Sequence, residues 1–117
     1  MKRITPEQVV EAYLERGWVP RQEIWADVLP NGKPCGCGIG VLIGNDIHDL
    51  FDERWVVGHY GAVAERLGLE KDYAWGFTRG FDGSCTPNPR IHNPLKLQGI
   101  KDGRTAWEAV EREVLGR

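Results

Sequence analysis

Tyr73, Phe77 and Phe81 recur every fourth residue, and Gly76 and Gly80 repeat at the same interval beside them. Residues four apart share one side of a helix, so the spacing predicts a helix over about 70–82 with an aromatic stripe next to a bare one. Two glycines inside a soluble helix cost roughly 1 kcal/mol each relative to alanine. The compensating gain has to come from a second backbone lying in the groove that the glycines leave. Gly40 and Gly44, also four apart, are the expected matching surface.

Those two glycines belong to the other segment that restricts the fold, Lys33-Pro-Cys-Gly-Cys-Gly-Ile-Gly-Val-Leu-Ile-Gly44, which holds two of the three cysteines. It is small, apolar and uncharged after Lys33, so neighbouring backbones can approach it and it belongs near the middle of the molecule. Upstream, Ile24–Leu29 leads into Pro30-Asn31-Gly32-Lys33, and Asn-Gly between apolar runs is a strong hairpin signal. Four glycines weaken the second arm as a strand. A turn at 30–34 feeding a short helix over about 36–44 is therefore preferred, and a β-hairpin within 24–43 is the alternative. Trp18-Val19-Pro20 is expected to be extended, because proline disfavours helix in the residue before it.

The remaining elements read as helices. Thr5, Pro6 and Gln8 form an N-cap, a first-turn proline and a capping-box partner, with Ile4 and Val9 placed as a hydrophobic staple and Gly17 as a left-handed cap. A helix over 5–16 follows, burying Val9, Val10, Tyr13 and Leu14 and presenting Glu7, Glu11 and Glu15 to solvent. Helical spacing returns from about Glu53 to Leu67 through Val56, Tyr60, Val63 and Leu67, closed by Gly68 and Leu69 as a Schellman ending. Asp82-Gly83-Ser84 reads as a turn. Pro87, Pro89 and Pro94 punctuate a long connection over 84–99, a length often associated with function. Asp102 then caps a last helix to about Leu115, with Ala106, Trp107, Val110 and Val114 inward. The expected architecture is mainly α, one domain over 1–117 built as a small bundle of four to five short helices.

An amphipathic first helix ending in Arg16-Gly17-Trp18, followed by a cysteine that opens a small-residue helix over Cys35–Ile43, resembles an arrangement in small uncharacterised bacterial and phage proteins. The likeness covers roughly a third of the chain and implies no function.

Charge and composition narrow the function classes. A net charge of −2 gives no global basic field for nucleic acid, and residues 84–117 alone reach only +2. Arg90, Lys96, Lys101 and Arg104 form at most a small basic patch. Nothing approaches the roughly 18 apolar residues of a membrane span. Lys2 and Arg3 lead directly into an amphipathic segment rather than an apolar leader. Three cysteines fit free thiols in a reducing compartment better than a disulfide framework, so a cytoplasmic location is expected.

Three chemistries are open to this residue set. Cys35, Cys37, Cys85 and His92 are ligand types that zinc accepts, although the spacing is loose and His48 or His59 could serve equally as the fourth. A helix starting after Cys35 would lower a thiol pKa at its N-terminus, which makes Cys35 or Cys37 a candidate nucleophile with His48, His59 or His92 as base. Asp46, Asp49, Asp52 and Glu53 lack the spacing of a calcium loop. Cys35–Gly40 lacks the lysine and hydroxyl of a phosphate-binding loop. Trp75 lies off the aromatic stripe of its helix, and exposed aromatics are enriched in binding surfaces. The leading expectation is a non-enzymatic accessory or interaction module with no cofactor. It would bind a protein partner through Trp75, Arg90, His92 and the 84–99 connection, and self-association is compatible with such a surface. The alternatives are a cysteine-dependent enzyme and a zinc-stapled structural domain.

Overall fold

The computed structural model describes residues 2–44 and 60–117. Readings that fall on 45–59, among them the acidic residues 46–53, His48, His59 and Val56, lie outside the described residues.

Helix α1 spans Pro6–Arg16. Its start is the expected capping box: Thr5 Oγ1 accepts from Gln8 N at 3.3 Å, and Gln8 Oε1 accepts from Thr5 N at 2.8 Å. Gly17 ends it at φ 69. Val9, Val10 and Tyr13 are buried as expected, but Leu14 is 64% exposed. Leu14 sits at the edge of the buried stripe, where it borders an open groove instead of a neighbouring helix.

Three short strands follow: β1 (Val19–Pro20), β2 (Asp27–Val28) and β3 (Pro34–Gly36). β3 is central, parallel to β1 with Val19 opposite Cys35, and antiparallel to β2 with Asp27 also opposite Cys35. Asn31-Gly32 makes the hairpin turn, with Gly32 at φ 85 and Gly32 N donating to Leu29 O at 2.8 Å. Helix α2 (Gly38–Ile43) starts immediately afterwards. The hairpin and the helix, set against each other by the sequence, thus coexist, because β3 stops after three residues and leaves the glycines to α2.

Helix α3 runs Tyr60–Leu67. It closes in a Schellman motif, Leu69 N donating to Ala64 O at 2.7 Å and Gly68 N to Glu65 O at 3.2 Å. Helix α4 spans Lys71–Phe81 and buries Tyr73, Phe77 and Phe81 completely. Helix α5 spans Pro94–Glu113, nine residues earlier than its expected start. Asn93 is the true cap: its Oδ1 accepts from Leu95 N at 3.0 Å and Lys96 N at 3.1 Å, and Pro94 takes the first turn. Asp102 is not a cap. It lies mid-helix and buried.

The groove left by Gly76 and Gly80 is filled by α5, not by α2. A methyl group added at Gly76 would collide with the Lys96 carbonyl, and one at Gly80 with the Ile100 carbonyl. Reciprocally, Gly99 faces the Tyr73 carbonyl and Gly103 the Phe77 carbonyl. Four glycines on two helices therefore bring the backbones into direct contact, and the residue numbers rise together, so α4 and α5 run parallel. A parallel pair requires the chain to travel back along its length, which accounts for the long stretch over 82–93. The expected partner surface was displaced for a geometric reason: α2 meets the aromatic stripe instead, with Gly38 against the Phe77 and Phe81 rings, while Gly40 lies against the Trp25 carbonyl.

The N-terminal arm is tied to this pair. Arg3 Nε and Nη2 donate to the two Asp102 oxygens at 2.9 and 2.8 Å, Gln98 Nε2 donates to the same carboxylate at 2.9 Å, and Tyr73 Oη donates to it at 2.5 Å. Tyr73 Oη in turn accepts from Ile4 N at 2.9 Å. Burial alone would raise the Asp102 carboxyl, but the hydrogen bonds from Arg3, Tyr73 and Gln98 outweigh it and hold the group below its usual range.

Candidate functional site

The cysteines are placed first by the backbone. Cys35 is in the central strand, 1% exposed, and Cys37 is the N-cap residue of α2, 2% exposed. Burial pushes the Cys37 thiol up to about 12, and Asp82 pushes it further in the same direction than the backbone N–H groups at the start of α2 can reverse. Cys37 is consequently held as a thiol, the opposite of the activation expected at a helix start. Cys35 lies in β3, ahead of the helix, so the geometry that suggested it as a nucleophile is not the one adopted. Cys85 is half-buried in the connection after α4, its sulfur near the Thr86 carbonyl at 3.9 Å.

Among the described residues, no three histidine, cysteine or acidic side chains gather in a way that could hold a metal ion. Cys35, Cys37, Cys85 and His92 therefore do not converge on one point. His92 is exposed in the connection, one residue before the α5 cap.

Trp75 stands in a different setting. Residues 72, 75, 76 and 79 share the side of α4 that meets the start of α5. The Arg79 guanidinium carbon lies 4.7 Å from the Trp75 ring centroid, and Lys96 Nζ, from the first turns of α5, also lies 4.7 Å from it. Both are cation–π distances. The ring remains half-buried, neither in the core nor free in solvent. Arg79 Nε is buried and makes no hydrogen bond among the described residues. Beside this cluster, Asn93 Nδ2 donates to Asp72 Oδ2 at 2.8 Å, which locks the beginning of α5 to the first turn of α4.

The connection over 82–93 carries the chain from the end of α4 to the start of α5. Gly83 takes φ 73, and Ser84 N donates to Arg79 O at 3.1 Å, ending α4 in the turn expected for Asp82-Gly83-Ser84. Asn88 organises the next turn, its Oδ1 accepting from Arg90 N at 2.9 Å and its carbonyl from Ile91 N at 3.1 Å. Arg90 and His92 are exposed on this ordered path. The structure thus joins Trp75 with Lys96 and brings His92 to within one residue of the Asn93–Asp72 contact. Sequence reasoning missed Arg79, although its position four residues after Trp75 on the same helix is the signal that would have found it.

At the other end of α4, burial raises the Asp82 carboxyl to about 6. Its Oδ1 accepts from Glu23 N at 2.9 Å, and Glu23 adopts φ 67, the one non-glycine residue with positive φ among those described. Gln22 Nε2 donates to Phe81 O at 2.8 Å. These bonds fasten the segment before β2 to the end of α4.

No helix among the described residues is long and apolar enough to cross a membrane. No protein-family model, curated protein or solved structure matches the chain.

Proposed function

We propose that this chain is a non-enzymatic interaction module, an accessory protein of bacterial or phage type acting in the cytoplasm. Its contact surface is the Trp75 cluster with the exposed side chains of the following connection. The observation that carries this reading is the half-buried Trp75 ring with two cationic groups each 4.7 Å from its centroid. A large, rigid aromatic with arginine beside it is the kind of anchor that dominates protein interfaces. Arg79 and Lys96 beside it, with Arg90 and His92 exposed on the connection, favour a partner presenting acidic side chains. The buried Cys37 thiol lends no support to thiol chemistry, and nothing in the described geometry favours the zinc reading.

The test is affinity capture with the full chain and with Trp75→Ala and Arg90→Ala/His92→Ala variants, each checked for folding by circular dichroism. A partner captured by the parent chain at low salt is expected to be lost from Trp75→Ala and to weaken roughly tenfold, about 1.4 kcal/mol, on the loop variant. Retention of every captured protein by both folded variants would overturn the assignment.

A further inference from the structure

A second surface lies at the opposite end of α5. This helix has 20 residues and is therefore about 30 Å long; Lys96 stands near its start and Glu113 at its end. Between Glu113 and α1 runs an open groove of about 570 Å³ lined by Glu7, Val10, Glu11, Leu14, Glu15 and Glu113. Its floor is apolar. Leu14, 64% exposed, is one of only two large hydrophobic side chains left exposed among the described residues.

Both rims are acidic. Glu7, Glu11 and Glu15 succeed one another at intervals of four along α1, and Glu113 faces them from α5. None of the four forms an ion pair among the described residues. Like charges four apart on a helix repel one another by a few tenths of a kcal/mol per pair, and the C-terminal end of α5 adds the negative pole of its own dipole. An anionic membrane or a nucleic acid is repelled by such a groove. A second copy docking groove to groove would oppose four carboxylates to four, because a two-fold contact places the same patch on both sides.

We propose that this groove binds a basic amphipathic helix of a partner protein. One apolar side chain would seat on Leu14 and Val10, and Lys or Arg residues one turn apart would pair with the Glu7–Glu11–Glu15 row. The row runs over nine residues, about 12 Å of helix from first to last, so little more than two turns of the partner suffice. This surface is independent of the Trp75 cluster and differs from it in the sign of charge that it attracts.

The test uses the full chain and a synthetic 14-residue peptide of leucine and lysine in amphipathic helical order, with a scrambled peptide of equal charge as control. Binding is followed by fluorescence anisotropy and by amide chemical shifts. The amphipathic peptide is expected to bind at least tenfold more tightly than the scrambled one, with shifts concentrated at 7–15 and 110–114. Leu14→Ser and Glu11→Gln/Glu15→Gln should each weaken binding about tenfold, whereas Glu65→Gln/Glu70→Gln, the same change of charge elsewhere, should alter it less than twofold. Equal binding of both peptides, or equal loss in the control variant, would reduce the effect to general charge attraction and overturn the proposal. Absence of binding would overturn it too. So would self-association of the parent chain that Leu14→Ser abolishes, since the occupant would then be a second copy.

Discussion

Two regions of this molecule use glycine to bring backbones together, and each carries one aspartate, buried in the first and half-buried in the second, yet they are finished differently. Between α4 and α5 the contact is reciprocal, with Gly76 and Gly80 receiving carbonyls of α5 while Gly99 and Gly103 receive carbonyls of α4. Around α2 it is one-sided, with Gly36 and Gly40 both receiving the Trp25 carbonyl from an irregular segment. The aspartates diverge in the same way. Asp102 accepts from Arg3, Gln98 and Tyr73 and is held below its usual range. Asp82 accepts from a single backbone N–H of a residue in the left-handed region and is raised to about 6. The close contact between two regular helices supplies its aspartate with several donors, whereas the one between a short helix and a loop retains strain and an under-supplied charge.

The largest break in this comparison is Gly80→Ala. Neither helix can bend away locally, so the variant should lose about 3 kcal/mol or more, read from the urea midpoint at constant slope. Gly61→Ala supplies the control: nothing among the described residues lies within 4 Å of that position on α3, and alanine there should raise stability by up to about 1 kcal/mol. An equal loss in both variants would show that the Gly80 effect is not packing.

Gly40→Ala comes next. The methyl group meets the Trp25 backbone, but a loop can yield where a helix cannot, so a cost of about 2 kcal/mol is expected. A cost exceeding that of Gly80→Ala would reverse the ranking of the two regions.

The smallest effects, of opposite sign, belong to the aspartates. Asp102→Asn should cost about 1 kcal/mol at pH 7, a modest figure because Arg3 is 54% exposed and screened. A carboxyl lowered on folding stabilises above its unfolded value and loses that contribution as pH falls through the folded one, so the Asp102 contribution disappears below the ordinary 3.8. Asp82 behaves in reverse. A carboxyl raised to about 6 favours the folded state below 3.8, and that advantage is lost as pH rises through 6. Asp82→Asn should therefore be more stable than the parent at pH 7, by about 1 kcal/mol, and level with it near pH 4. Denaturation curves from pH 3 to 8 separate the two, and parallel profiles for both variants would contradict the assignment.

Legibility in the sequence followed the range of the forces. Thr5, Gln8 and Gly17 specify α1 through contacts within three or four residues, and Gly68-Leu69 does the same for the end of α3; both were readable. The aromatic stripe of α4 was readable by its period, as was the need for a backbone beside Gly76 and Gly80. Which backbone was not, because a glycine announces that something approaches without naming it. Gly99 and Gly103 also interrupted the helical pattern of α5, which disguised Asn93-Pro94 as part of a loop and made Asp102 resemble a cap. Leu14 fitted the apolar stripe by spacing, yet it borders the open groove between α1 and the end of α5. Of the candidate surface, Trp75, Arg90 and His92 stood out by residue type, while the approach of Lys96 to Trp75 depends on the parallel pairing of two helices.

The ties of residues 2–4 have a consequence for how the chain is made. Lys2 Nζ donates to the Leu67 carbonyl at 2.7 Å, Ile4 N to Tyr73 Oη at 2.9 Å, and Arg3 to Asp102. Synthesis proceeds from the N-terminus at about 5–20 residues per second. The arm is thus translated well before its anchors, the last of which, Asp102 in the middle of α5, follows Arg3 by 99 residues. A nascent chain stalled before residue 94 can form α1 with its own cap, yet it has neither the helix that fills the glycine groove nor the carboxylate that fixes the arm. Residues 2–4 wait for all three of their anchors before they can settle.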